Sequence, residues 1–323
     1  MIKNILTFLF GIFVNALMVG LLIGGVWMVL YCTYYSIKYF ISSVKVSNGN
    51  KHKEKDSQNT TESINQSQRR EKELIELISK QYYIIEDKIS FRCCYKVSTE
   101  YIMILLSNKK VFQSNNKFSC TVTQINDSGF IKYDVDIEVK YTQGFKVLIA
   151  SINPFLENKL NSTELKVLGE IKRIYGLIIN PRMSPYEKEK AVHDYLIRAS
   201  MYDANGLNSN NILEVSHTPY GLLFNHMGVC DAYAETFQIF MYLCGIESYV
   251  VIGDTISNIN KEYKHAWNII KLEKFYYHVD VTFDNPGPMQ FGQVDYKYFN
   301  KSDVEMEKTH TWEVMQYPFC LDY

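Results

Sequence analysis

Proline is scarce, seven in 323 residues, and the charges nearly cancel, to a net of -1. Few prolines beside 25 tyrosines and 18 phenylalanines argue for a folded body with sheet content and against a disordered chain. Without a global basic field, nucleic acid is excluded as an expected partner. No CxxC pair occurs among the seven cysteines, Cys32, Cys93, Cys94, Cys120, Cys230, Cys244 and Cys320. An odd set without ligand spacing is neither a disulfide scaffold nor a zinc ribbon. Adjacent Cys93 and Cys94 would point to opposite faces of a strand, so no bond between them is expected. The spaced-carboxylate loop of a calcium site is absent too, and we expect neither metal nor cofactor.

Charge is also missing from Asn4 to Ile37. That apolar run exceeds the ~20 residues that cross ~30 Å of hydrocarbon, and no small-residue cleavage site follows it. It reads as an N-terminal transmembrane anchor over residues 1–46, with an interfacial tyrosine belt from Tyr31 to Tyr39. The lipid bilayer is therefore an expected partner. Lys38, Lys45, Lys51, Lys53 and Lys55 follow the run, which favours a cytoplasmic carboxyl side. Large domains are nevertheless exported against such a bias, so both sides of the membrane stay open. Residues 47–70 are polar and read as a flexible linker.

Residues 71–160 read as a helix, 71–88, and then a small β-rich region. Its strand-like runs are "YIMILL", "FSCTVTQI", "FIKYDVDIEVKY" and "FKVLIA". From 161 the pattern turns helical. Asn161 with Glu164, and Ser184 with Glu187, stand at capping-box spacing. The second of these helices carries the stripe Val192, Tyr195, Leu196 and Ala199. His193 and Asp194 beside it read as solvent-edge or capping residues.

In "GVCDAYAETF", Cys230 falls where a glycine turn meets a nearly all-apolar helix that ends at Gly245. A thiol at a helix amino terminus has its thiolate favoured by the macrodipole, and the same N–H groups can hold an oxyanion. A nucleophile also needs a base and an orienting group. Beyond Gly245 come three strands, "IESYVVIG", "HAWNIIKL" and "FYYHVDVT", the last two joined by Glu273-Lys274 as a hairpin. Pairing Leu272 with Phe275 sets Trp267 opposite Asp280 and His265 opposite Thr282. His265 and Asp280 are then diagonal neighbours on one face. A one-residue bulge would reverse that parity. His265 is the preferred base and His278, on the same face as Asp280, the alternative. Trp267 reads as core or as a wall of the site.

With "EKAVHDYLIRASMYD", the cysteine segment, "HAWN", "DVTFD" and "YFNKSDVEMEKTHTW" in order, the chain resembles the transglutaminase-like superfamily over roughly 161–313. The resemblance implies an α+β, papain-like fold over 161–323, in which the cysteine helix packs on an antiparallel sheet. It implies Cys230 as nucleophile, His265 as general base and Asp280 as its orienter. The implied chemistry is acyl transfer through a thioester on a protein or peptide substrate, with hydrolysis favoured over cross-linking. Ala232 stands where relatives commonly carry glycine, and Phe283 where tryptophan is common. Tyr220, His226, Asn268, His310 and Trp312 fall in matching segments without an assigned role. Two other readings remain: the fold kept as a binding or envelope module with an unused thiol, and a membrane sensor whose 89–150 region takes a ligand.

Overall fold

The computed structural model describes residues 57–322 apart from 108–111, 113–114, 205–211, 257–261 and 288–291, with side chains from 66 onward except at 256 and 262. The expected membrane span lies outside the described residues; among those described, no helix is long and apolar enough to cross a membrane. The chain divides into two compact units, Met1–Ser67 and Gln68–Tyr323. Only the opening turns of the first helix are described in the former, and all that follows concerns the latter.

The elements run α1 (Ser57–Tyr82), β1 (Lys88–Cys93), α2 (Thr99–Leu106), β2 (Lys117–Asp127), β3 (Phe130–Lys140), α3 (Gln143–Ile152), α4 (Ser162–Ile178), α5 (Pro185–Ala199), β4 (Met201–Tyr202), α6 (Pro219–Phe224), β5 (Met227–Gly228), α7 (Cys230–Leu243), β6 (Ser248–Ile256), β7 (Glu262–Leu272), β8 (Phe275–Val279), α8 (Asp303–Met306) and β9 (His310–Trp312). Helix α1 starts at Ser57, inside the stretch expected to be a flexible linker. Its Gln, Glu, Arg and Lys residues are good helix formers, and polarity alone does not separate an exposed helix turn from a linker.

The expected β-rich region is only partly strand. An antiparallel sheet in the order β1-β3-β2 is present. Two of the strand-like runs are helices instead. "YIMILL" lies in α2, where the Ser98 side chain accepts from the Tyr101 N–H. "FKVLIA" lies in α3, where Thr142 accepts from the Phe145 N–H. A short apolar run carries no period of its own, and the capping residue in front of it decides. Both capping boxes form as expected, at Asn161/Glu164 and Ser184/Glu187.

Two cores result. Leu74, Ile78 and Tyr82 of α1 pack with Ile89, Val135 and Ile137 of the three-stranded sheet. The second core gathers α4, α5 and α7 with Ile270 and Val279. Helix α3 serves both, giving Phe145 and Ile149 to the first and Val147, Leu148 and Ala150 to the second. A second antiparallel sheet has the order β8-β7-β6-β9. Helix α7 packs on it through Ala234, against Val250 and Ala266. Tyr249, Val251, Trp267 and Ile269 pack instead with Tyr298, Met306, Tyr317 and Cys320.

One buried acid ties α7 to α3. Glu235 accepts the Gly144 N–H at 3.1 Å. Burial pushes its carboxyl up to about 8, against the pull of Thr142 and Gly144 as donors. The folded chain thus keeps a proton that the unfolded chain releases above its ordinary 4.5. Stability held at low pH is therefore lost as pH rises through the folded value, between about 5 and about 8. Glu235→Gln, a neutral isostere, is expected to lose less across that window. Urea midpoints at about pH 5.5 and about pH 8 check this, and equal declines in both proteins would refute it.

Candidate active site

Val229, which precedes α7, has no side chain able to cap the helix. Asp231 folds back to accept the Ala232 N–H at 3.0 Å, and its other oxygen lies 2.8 Å from His217 Nδ1. Cys230, the first residue of α7, is partly exposed and packs beside Ala234, Val250 and Ala266. The strand β5 that feeds it runs parallel to β4, with Tyr202 opposite Gly228. Gly228 has no room for a side chain, since a Cβ there would meet Leu222 at 2.9 Å and Ala232 at 3.1 Å.

The hairpin keeps the expected register, from Leu272↔Phe275 to Asn268↔Val279. It ends there, earlier than expected, so His265 and Thr282 do not pair. The backbone explains the break. Asp280 turns its N–H to the Tyr298 carbonyl at 3.0 Å, and its carboxylate accepts the Phe283 N–H at 3.0 Å. The chain folds around that carboxylate instead of continuing along β7. Parity survives, because the turn begins only after Asp280 has taken the face that alternation gives it.

His265 Nε2 lies 2.7 Å from Asp280 Oδ2, and both side chains are buried. The Cys230 thiol is near enough to the same imidazole to favour its charged form. With Nε2 engaged by Asp280, Nδ1 is the nitrogen left for sulfur. Burial pulls the His265 ring toward its neutral form, but the charge and hydrogen bond of Asp280 outweigh it, with help from Cys230, and the ring's pKa is raised. Burial opposes ionisation of Asp280, and the two histidines on it overcome that and hold the carboxyl well below its ordinary range. The geometry therefore favours a charged imidazolium between a carboxylate and a thiol.

Aromatic rings enclose the pair. His265 stacks on Trp267 with centroids 5.9 Å apart and meets Phe283 at 4.6 Å. Phe283 is 40% exposed and forms a solvent-facing wall beside the ring. Trp267 is core, and its Nε1–H donates to His278 Nδ1 at 2.9 Å. His278 places Nε2 2.8 Å from Asp303, a structural tie away from the thiol. Of the remaining residues without an assigned role, Tyr220, His226, Asn268 and Trp312 bond or pack elsewhere. Asn268, for instance, donates to the Ala234 carbonyl and pins α7 to the sheet.

His310 differs from them. Its Nε2 lies 3.1 Å from the same Asp280 oxygen that His265 addresses. It sits on β9, a three-residue strand that no sequence period marks, and is brought in by pairing with β6. His193 corrects an expectation as well. It is buried, not at the solvent edge, with Nε2 3.1 Å from Asp284 and Nδ1 3.3 Å from Asp194. Asp284 also accepts the Tyr298 N–H at 2.8 Å, so this histidine holds the loop after Asp280 against α5.

Two clusters among the described residues have metal-ligating atoms close together, His265/Asp280/His310 and His278/Asp303/Cys320. Neither donor set fits an ion well. The indole N–H of Trp267 occupies His278 Nδ1, so that ring carries its proton on Nε2, facing Asp303. In the other cluster both Nε2 atoms converge on one carboxylate oxygen at hydrogen-bond distance.

Among solved structures, one described as a TGase is 15% identical, covers 60% of this chain and 50% of its own, and has a TM-score of 0.32. A Cytophaga hutchinsonii protein provisionally described as a cysteine protease is 11% identical, with 55% and 67% covered and a TM-score of 0.29. An arylamine N-acetyltransferase from Bacillus cereus, described as having a Cys-His-Glu catalytic triad, is 14% identical, with 38% and 50% covered and a TM-score of 0.28. This chain spans about half the length of the first of them. No curated protein matches it. Residues 174–281 match the family model described as "Transglutaminase-like superfamily", a range that includes Cys230, His265 and Asp280. The family-model match places a transglutaminase-like domain at residues 174–281.

Proposed function

We propose that this protein is a membrane-anchored cysteine enzyme that hydrolyses peptide or side-chain amides through a thioester on Cys230. The observation that carries the reading is one imidazole shared by a carboxylate at 2.7 Å and the Cys230 thiol. The thiolate attacks the amide carbon and forms a C–S bond. The tetrahedral oxyanion collapses as the C–N bond breaks, and His265 gives its proton to the leaving amine. Water, deprotonated by His265, then cleaves the thioester to acid and thiol. Asp280 keeps the ring oriented and charged.

The Cys230 N–H at the start of α7 is the first oxyanion donor in this scheme. The Tyr202 phenol, carried beside Gly228, is our choice for the second. Burial first, then the charges of Cys230, Asp231 and Asp280, keep it protonated and able to donate. Hydrolysis is preferred over amine transfer because Cys230 is partly open to water. The uncharged run from Asn4 to Ile37 supports anchoring in a bilayer.

The reading is tested by iodoacetamide alkylation of the full chain in detergent from about pH 5 to about pH 9, followed by peptide mapping. Cys230 is expected to react at least ~10-fold faster than the exposed Cys94 at about pH 6. Equal rates would leave the thiol without activation and end this proposal.

A further inference from the structure

Asp280 Oδ2 receives two imidazoles, His265 Nε2 at 2.7 Å and His310 Nε2 at 3.1 Å. A carboxylate held ionised only accepts, so both nitrogens present a hydrogen to it. His310 Nδ1 then lies 2.9 Å from the Thr309 hydroxyl, which donates to it when the ring is neutral. Thr309 thus selects the tautomer that points N–H at Asp280. The Phe283 N–H satisfies the other carboxylate oxygen. Three donors therefore fix one buried carboxylate in rotation. Removing one would let it turn away from His265 and would raise its affinity for a proton.

We propose that His310 is a positioning residue for the Cys230–His265 pair, acting through the shared Asp280 oxygen, with Thr309 setting its tautomer. This rests on the acyl-transfer reading above. His310 is fully buried, with its Nε2 turned to Asp280. It meets Trp267 at 4.9 Å, Phe283 at 5.1 Å and Tyr298 at 5.4 Å. Those contacts would also suit an inert core aromatic, and the test has to separate the two roles.

His310→Phe keeps a ring in the packing and removes the donor. His310→Gln keeps a donor and loses the ring. Thr309→Val removes the hydroxyl that selects the tautomer. Each is compared with wild type, full chain in detergent, by the pH profile of Cys230 alkylation. The titratable groups around the cluster are Cys230, Tyr202, His278, Asp284 and Tyr298, and all are retained in every variant. The acid limb belongs to the Cys230–His265 pair, which a correctly oriented Asp280 favours, so losing a donor that holds Asp280 moves that limb toward higher pH. We expect His310→Phe to move it by about one unit and to slow alkylation at about pH 6 by ~10-fold. His310→Gln should stay within about threefold of wild type, and Thr309→Val should move the limb in the same direction by less.

If His310→Phe folds and its limb does not move, the inference is overturned. If it does not fold, as near-ultraviolet circular dichroism would report, Thr309→Val decides by the same limb. Should wild-type Cys230 itself be no faster than Cys94, it is the acyl-transfer reading that has failed, and the two failures stay distinct.

Discussion

Alkylation of Cys230 at about pH 6 is expected to fall by on the order of 10²-fold when His265 is replaced by alanine. A thiol with no ion-pair partner ionises near 8.5, so only about 0.3% of it is thiolate at that pH. The imidazolium of His265 is what changes this. Its folded pKa is raised, by Asp280 first among the favourable causes and then by Cys230. Below that raised value the ring is charged, and a thiolate formed on Cys230 would lie beside a cation. As pH climbs past about 8.5 an unpaired thiol ionises without help, and the wild-type advantage over His265→Ala disappears. The two proteins should therefore differ most at acid to neutral pH and converge near pH 9. The helix amino terminus remains in the variant and contributes ~0.3–1 kcal/mol, too little to replace the ion pair. The measurement is a second-order rate for each mapped cysteine across the pH range, with Cys94 as internal reference. A variant that matches wild type at about pH 6 would mean that α7, not His265, sets the thiol's reactivity.

Much of this site was legible because its parts obey short-range rules. Gly228 and Gly245 bracket α7. A two-residue link sets the β7–β8 register, and that register, kept as far as Val279, gives Asp280 the face of His265. The residues that sequence reasoning missed are joined by long-range contacts instead. His310 reaches Asp280 from 30 residues away, through three pairs between β9 and β6. His193 reaches Asp284 across 91 residues. Neither separation has a period or a spacing to read. The misread strands failed for another reason. "YIMILL" and "FKVLIA" are too short for one period to beat another, and Ser98 and Thr142 in front of them are ordinary loop residues until a helix follows. Residues 57–70 failed in reverse, since their polarity suits both an exposed helix and a linker. The buried Glu235 had no signal either, because only the approach of α3 turns that position of α7 inward.

The largest stability effect is expected at Gly253, where the sheet needs a hydrogen in place of a side chain. Gly253 is paired on both sides, with His265 on β7 and Trp312 on β9. A Cβ there would stand 2.1 Å from the Thr311 carbonyl oxygen and 2.8 Å from the Trp267 ring. The first is backbone of the neighbouring strand and the second a buried ring, so neither is a flexible side-chain end that could step aside cheaply. Gly253→Ala must therefore either push β9 off the sheet edge or tilt Trp267. Overpacking of this kind costs about 3 kcal/mol. Both escapes also reach the site. Moving β9 carries His310 from Asp280, and tilting Trp267 removes the ring on which His265 stacks. A lowered urea midpoint should thus come with slower Cys230 alkylation and altered tryptophan fluorescence, since Trp267 and Trp312 are 5.8 Å apart. Gly176→Ala is the control, because a Cβ there meets nothing within 4 Å and alanine favours its helix, α4. A Gly253→Ala protein as stable as the Gly176→Ala control would mean that β9 yields without cost and that the sheet edge beside His265 is not the rigid support described here.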